Sequence, residues 1–566
     1  MRQQRLLAAD KPFFMYFAPG ATHAPHHVPK EWADKYKGKF DQGWDKLREE
    51  TFARQKKLGV IPEECELTKR HPEIPEWDDQ AAELKPVLAR QMEIYAGFLE
   101  FADHHVGRLI NALEQLQVLD NTLILYIVGD NGASGEGTLQ GTFNETITFN
   151  GLSAFETAAF LTTRLDKFGS PESYNHYAVG WAHAMDTPYQ WTKQVASHWG
   201  GTRNGTVVHW SKGIKAKGEL RHQFHHVIDV APTILEAAQL PEPYMVNGVG
   251  QVPMQGVSML YSFNDAKAAE RRETQYFEMA GNRGIYHKGW TAVTRHRTPW
   301  ILTGKMQPFD DDVWELYDTN KDWSQAHDLS KEMPEKLHDL QRLWLIEATR
   351  NGVLPMDDRG AERFNSDLAG RPVLVRGTAQ ILARGMGGLN ENANINLKNK
   401  SHSVTAQLSI SEERPCEGVI LSQGGVAGGW ILYVKGGQLK YCYNFAGLEK
   451  HVISSTQQIA SGNHQVRMEF AYDGSGLAQG GTVILYIDGK AVGSGQVERT
   501  LPMVFSLDET SDVGVKRGSP ITSDVPTENN AFTGTVQLVV IETNAKEEVD
   551  HLISREDLLQ ILMARQ

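Results

Sequence analysis

The sequence predicts an α/β protein: a mostly parallel sheet flanked by helices, then a smaller antiparallel subdomain, then a carboxyl-terminal all-β sandwich. Three observations predict it. The chain has 566 residues, more than one ordinary domain holds. From Lys11 to about Leu240, short apolar runs alternate with helical periodicity. From about residue 385 helical periodicity almost vanishes, and short runs alternate apolar with polar residues. The expected domains are 1–265, 266–384 and 385–566.

Taken in order, "PFFMYFA", between Pro12 and Pro19, reads as a core strand. "LARQMEIYAGFLEFADHHVGRLINALEQL" places Met92, Tyr95, Leu99, Val106, Leu109, Ile110 and Leu113 at helical spacing, so it reads as a long amphipathic helix. "TLILYIV" follows as a second strand. A helix between two such strands is the βαβ arrangement that predicts parallel pairing. Residues 140–200 are less regular. "GTVVHW" reads as a further strand, and "HHVIDVAPTILEAAQL" as a helix with Pro232 in its first turn. Between 270 and 350, "TQYFEM", "GIYHKG" and "WTAVTR" followed by "EKLHDLQRLWLIEAT" predict a small antiparallel sheet with a covering helix. The join to the last domain is the Gly- and Asn-rich "RGMGGLNENANIN". Beyond it, "VKGGQL" and "YIDGKA" set Gly-Gly and Asp-Gly between strands, which is hairpin chemistry, so a lectin-like sandwich is expected.

The composition narrows the partners. The formal charge is −13, which disfavours nucleic acid, because phosphate backbones need a basic surface. No apolar run approaches the length of a membrane span. "MRQQRLLAAD" lacks the sustained apolar segment of a signal peptide, and the chain reads as starting inside a domain. The sequence therefore assigns no location. Cys65, Cys416 and Cys442 are too few for a disulfide scaffold and fit no zinc spacing; a Cys416–Cys442 bond remains open.

Three segments hold candidate chemistry. "GDNGASGEG" ends the second strand on Asp130 and Asn131. Asp-Asn-Gly is good turn chemistry, and a carboxylate beside an amide oxygen at a strand end also suits a hard cation. "APGATHAPHHVP" sets His23, His26 and His27 on a proline-stiffened loop, where imidazole could bind a metal or an anion, or simply be solvated. "WTKQVASHWGGTRNGTVVHW" puts Lys193, His198 and Arg203 near a Gly-Gly pair, which reads either as an anion site or as a turn with solvated charges.

With these segments in hand, the chain resembles a type I sulfatase, of the arylsulfatase branch of the alkaline phosphatase superfamily. "KPFFMYFAPGATHAPHHVP" is similar to that family's strand and His-x-Pro loop. "NTLILYIVGDNGASGEG" is similar to its strand ending in Asp-Asn-Gly. "KQVASHWGGTRNGTVVHWSKGIK" is similar to its lysine segment before Gly-Gly-x-Arg, and "VWELYDTNKDWSQAHDLS" to its late Leu-Tyr-Asp motif. These segments lie between Lys11 and about Arg350. The resemblance implies an alkaline-phosphatase-like fold and hydrolysis of a small-molecule or sugar sulfate ester. It implies that Asp130 and Asn131 ligate one calcium or magnesium ion, and that His23 and Lys193 are the catalytic and substrate-binding residues at the sulfate group. Asn after Asp separates this pattern from that of the two-metal phosphatases, which place histidine there.

The sequence departs from the family at the nucleophile. The family uses a formylglycine made from the Cys or Ser of a Cys/Ser-x-Pro-x-Arg motif, and no Pro-x-Arg occurs in the 566 residues. The upstream Asp-Asp pair of the metal shell also has no match: Asp78–Asp79 and Asp310–Asp312 follow no apolar strand and read as solvated turns or caps. The chain is thus expected to be a sulfuric ester hydrolase by descent and inactive as it stands. The rival readings are a phosphonate or phosphodiester hydrolase of the same superfamily and a non-catalytic glycan-binding protein.

Overall fold

The computed structural model describes residues 1–302, 304–543 and 551–554, with positions 556, 558, 559 and 563. The chain divides into two compact units. One comprises residues 1–142, 161–165 and 176–358; the other comprises 143–160, 166–175 and 359–566.

The first unit is organised by the helix Lys85–Gln115, which buries Val87, Leu88, Gln91, Met92, Ile94 and Phe98 along one stripe. Pro86 stands in its first turn, where a missing N–H costs nothing. Against its start pack Trp44, Trp77 and Trp181, with ring centroids 4.9 Å (Trp44–Trp77) and 5.4 Å (Trp44–Trp181) apart. Trp181 Nε1 donates to the Leu88 carbonyl at 2.8 Å, so this buried indole leaves no polar atom unpaired.

Among the described residues the expected parallel sheet is not found. Strand Ile124–Val128 pairs antiparallel with Gly205–His209, in a register running from Ile124 opposite His209 to Val128 opposite Gly205. "PFFMYFA" forms no strand; Phe14, Tyr16 and Phe17 are exposed. Strand propensity measures fit to a paired, half-buried surface, and among the described residues this run has no strand beside it. Every sheet in the described residues is antiparallel.

Further along the first unit, Thr274–Met279, Asn282–His287, Trp290–Thr294 and Trp314–Asp318 form a four-stranded meander. Helix Pro334–Arg350 covers it, packing Leu340, Trp344 and Ala348 on Ile285, Ala292 and Leu316. Asp312, expected in a solvated turn, is buried instead. It accepts from His296 Nδ1 at 2.9 Å and pairs with Arg283, because a buried cation in this loop needs a counter-charge.

The second unit is a sandwich of two antiparallel sheets. The six-stranded sheet runs, edge to edge, Lys490–Val497, Gly481–Ile487, Gly462–Tyr472, His402–Ile410, Thr535–Thr543 and Ala379–Ala383. The five-stranded sheet runs Glu449–Gln458, Gln438–Phe445, Gly428–Lys435, Gly418–Gly425 and Ser511–Val513. Both hairpin signals are type I′ turns: φ is 60° and 75° at Gly436–Gly437, and 49° and 75° at Asp488–Gly489. The unit starts before residue 385, since Ala379–Ala383 is already an edge strand. The expected linker is pinned down: Gly388 N–H donates to Asp512 at 2.9 Å, and Leu389 pairs with Ser511. Residues 143–160 and 166–175, expected within the first domain, cluster with this unit. Asn144 Nδ2 donates to the carbonyls of Ala427 and Ala446, and Asn150 Nδ2 to that of Val504. Cys416 lies in the core between the sheets and Cys442 in a separate cluster with Ile431 and Tyr433; both thiols are free, so the open disulfide does not form. Among the described residues no helix is long and apolar enough to cross a membrane.

Candidate active site

The loop after strand Ile124–Val128 is stitched into the first unit residue by residue. Gly129 takes a left-handed φ of 82°, which turns the chain out of the strand. Asp130 follows, exposed, and Asn131 Nδ2 donates to Asp130 Oδ1 at 3.1 Å. Gly132 donates to the Gly201 carbonyl at 3.1 Å, and a Cβ there would lie 1.7 Å from the Gly200 carbonyl oxygen. Only glycine lets these two backbones meet. Ala133 N–H donates to Asp186 Oδ1 at 2.8 Å, and its carbonyl accepts from Lys193 N–H at 2.9 Å. Burial pushes the Asp186 carboxyl well above its ordinary range, against the pull of the Ala133 N–H and Arg48. Ser134 N–H donates to the Tyr177 hydroxyl at 3.0 Å.

This stitching brings Lys193 to the same loop as Asp130 and Asn131, and it brings His23 to Lys193. His23 Nε2 stands 3.3 Å from Lys193 Nζ, although 170 positions separate them. His23 Nδ1 lies 2.8 Å from its neighbour's carbonyl at Ala24, so Nδ1 carries the proton and Nε2 faces the lysine as an acceptor. Lys193 Nζ also donates to Glu136 Oε2 at 2.8 Å, and both side chains are only 15% exposed. Burial alone would raise the Glu136 carboxyl, but the Lys193 charge and hydrogen bond, with help from His176 and Ser134, hold it below its ordinary range. His176 is buried and pushed down to about 4, chiefly by desolvation; its Nδ1 donates to the Tyr177 carbonyl at 2.9 Å.

The remaining candidates have structural surroundings. His26 is buried, its ring stacked on Tyr177 at 5.0 Å and tilted against His176 at 4.8 Å, and desolvation holds it well below the usual histidine range. His27 is half-buried. His198 is buried between Ser197 Oγ at 2.9 Å and Glu315 Oε2 at 3.2 Å. Arg203 lies flat over Trp323, 3.7 Å from the ring centroid. The three histidines of one motif thus divide, with His23 alone exposed. No cysteine is poised for attack: burial raises the thiol of Cys65, and pushes those of Cys416 and Cys442 up to about 11. Glu136 escaped the sequence reading. Its one signal was an acid between two glycines in the loop already singled out, six positions after Asp130.

Asp130 and Asn131 offer a carboxylate and an amide oxygen, which is the donor chemistry of a hard cation. They fit such an ion in kind. Among the described residues, no cluster of three or more carboxylate, histidine or cysteine groups at metal-binding spacing includes Asp130.

Residues 3–240 match the sulfatase family, and residues 197–344 match the family described as N-sulphoglucosamine sulphohydrolase, C-terminal. An uncharacterized sulfatase of Schizosaccharomyces pombe (strain 972 / ATCC 24843) is 30% identical over 358 residues, covering 61% of this chain and 59% of that protein. An arylsulfatase of Klebsiella aerogenes is 30% identical over 264 residues, covering 46% of this chain and 54% of that protein. The chain thus spans little more than half the length of these relatives. The crystal structure of Ps i-CgsB is 18% identical, over 66% of this chain and 57% of that one, with a TM-score of 0.36, a likeness too distant to carry an argument. The two family matches overlap at residues 197–240 and together run from residue 3 to residue 344.

Proposed function

We propose that the loop of His23, Lys193, Asp130 and Asn131 is the sulfate-ester site of an arylsulfatase-type sulfuric ester hydrolase. The observation that carries this reading is the 3.3 Å approach of His23 Nε2 to Lys193 Nζ, which sets an exposed imidazole beside an ammonium. An ammonium has three N–H donors. Glu136 and His23 take two, and the third is left for an oxygen of the ester. Once protonated, His23 would turn Nε2–H toward the same anion and donate to the leaving oxygen. Asp130 and Asn131 would hold a calcium or magnesium ion. When bound, such an ion would supply Lewis-acid stabilisation of the ester oxygens. Two protein oxygens are few for calcium, which takes six to eight, so its binding to residues 1–566 is expected to be weak. The similarity to a sulfatase and an arylsulfatase supports the sulfate-ester class and leaves the substrate a small aryl ester or a sugar sulfate.

The glycan-binding alternative finds less support. Between residues 379 and 543 the described aromatic side chains are buried or, as at Tyr472, half-buried, so that stretch presents little ring surface for a sugar to stack on.

The test is equilibrium binding of phenyl sulfate to residues 1–566. His23→Ala and Lys193→Ala should each weaken it about tenfold or more. Unchanged affinity in either variant would overturn the assignment.

A further inference from the structure

The Lys193 ammonium does not stand in its site as a free cation. Glu136 Oε2 accepts from Lys193 Nζ and from Ser134 Oγ, each at 2.8 Å, and Gln194 Nε2 donates to Oε1. The pair is mostly buried, so water screens it little. The backbone holds the lysine end as firmly. Lys193 N–H is tied to Ala133, and the flanking residues Trp191 and Gln194 both sit at left-handed φ, 67° and 72°, although neither is glycine. The Gln194 carbonyl accepts from Asn282 Nδ2 at 2.9 Å, which helps hold that strained turn. A built carboxylate facing the cation of an anion site is costly in electrostatics unless it serves the site.

It sets the charge of that site. The Glu136 carboxylate offsets the Lys193 charge across their 2.8 Å contact. An incoming anion therefore meets one directed ammonium N–H donor, with its positive charge offset. A singly charged ester gains the hydrogen bond and little repulsion. A doubly charged anion gains the same bond and meets twice the repulsion from the Glu136 carboxylate. Resting on the reading that Lys193 meets the ester, we propose that Glu136 is a specificity-determining residue, selecting singly charged esters over doubly charged anions. The discrimination is by charge: sulfate monoesters and phosphodiesters pass, while phosphate monoesters and the inorganic sulfate product are disfavoured. Product release follows from the same arrangement, since cleavage converts a monoanion into a dianion within the site.

The experiment measures dissociation constants at pH 8 for phenyl sulfate, phenyl phosphate and inorganic sulfate, using residues 1–566, Glu136→Gln and Lys193→Ala. Glutamine keeps the side-chain length and an acceptor for Lys193 and Ser134, and removes the charge. Wild type should bind phenyl sulfate more tightly than phenyl phosphate. In Glu136→Gln the ratio should shift about tenfold toward the two dianions. If Lys193→Ala weakens phenyl sulfate binding but Glu136→Gln leaves the ratio unchanged, the selective role of Glu136 is overturned and the sulfate-ester site stands. If Lys193→Ala leaves phenyl sulfate binding unchanged, or wild type binds none of the three anions, the site itself is overturned, and the selectivity with it. Should Glu136→Gln fail to fold, the wild-type pair decides: tighter binding of phenyl phosphate than of phenyl sulfate overturns the proposal.

Discussion

At Gly132 the loop has no room for a single methyl group, because the obstacle is backbone. The Gly200 carbonyl oxygen would lie 1.7 Å from an added Cβ, and neither partner can rotate aside. Gly132→Ala should therefore cost about 2 kcal/mol or more, read as a fall in the urea midpoint of the first unit. It should also loosen the Ala133–Lys193 bond and weaken phenyl sulfate binding. The buried histidines give a second prediction at this scale. His176 is pushed down to about 4, and His26 and His183 lie well below the ordinary value, in each case chiefly by desolvation. A histidine whose folded-state value is depressed binds its proton more readily when unfolded. Its stabilising share is present above about 6.5 and is lost as the pH falls toward the folded value. Between pH 6.5 and about 4, His176 should remove about 1.4 kcal/mol per pH unit, and His26 and His183 act in the same direction. Glu136 adds the same sign at lower pH: its depressed carboxyl stabilises the fold above its unfolded value, and that contribution fades as acid reaches the folded one. Urea midpoints at pH 6.5, 5.5 and 4.5 should fall steadily, and a flat profile would contradict the burial of these rings.

At the scale of elements, what the sequence made legible was local. The turns Gly436–Gly437 and Asp488–Gly489 specify their own hairpins, and the stripe of the Lys85–Gln115 helix specifies its buried face. What stayed hidden depends on partners far away in sequence. An apolar strand does not state the direction of its neighbour, so Ile124–Val128 read as parallel and pairs antiparallel with a strand about 80 positions on. Asn144 and Asn150 look like loop residues until they meet carbonyls 283 to 354 positions away. Of the proposed site, His23, Lys193, Asp130 and Asn131 were named from motifs, whereas the contact of Glu136 with Lys193, 57 positions away, has no signal in the sequence. A prediction follows for the sandwich. Residues 385–566 lack the edge strand Ala379–Ala383 that pairs with Thr535–Thr543. They should melt below residues 359–566, because Leu382, fully buried against the core, leaves with that strand. Equal melting temperatures would show that the edge strand contributes nothing.

For the whole molecule, the first unit carries uncovered apolar surface, and residues 1–566 hold no Cys/Ser-x-Pro-x-Arg run for the proposed site. Leu6, Leu7, Phe14 and Tyr16 are each more than 70% exposed, and Val128 and Val207 stand exposed on the two-stranded sheet. Surface of this kind binds hydrophobic dyes and other chains, so residues 1–566 should enhance a reporter such as ANS at neutral pH and self-associate as concentration rises. Anion positioning by His23 and Lys193 can survive without chemistry, since it depends on hydrogen bonds already present. Attack on sulfur cannot. No Cys/Ser-x-Pro-x-Arg run stands in these residues, and the three thiols are buried and held protonated. Sites stripped of their nucleophile keep some charge stabilisation and fall orders of magnitude below the intact enzyme. Residues 1–566 are therefore expected to bind an aryl sulfate and to turn it over little or not at all, with or without added calcium. A chromogenic aryl sulfate assay on the purified chain decides this. Turnover at ordinary enzyme rates, abolished by Asp130→Ala, would mean that a residue within these 566 attacks sulfur. Ser134→Ala would be the first variant to examine, because that hydroxyl already donates to a buried carboxylate at the site.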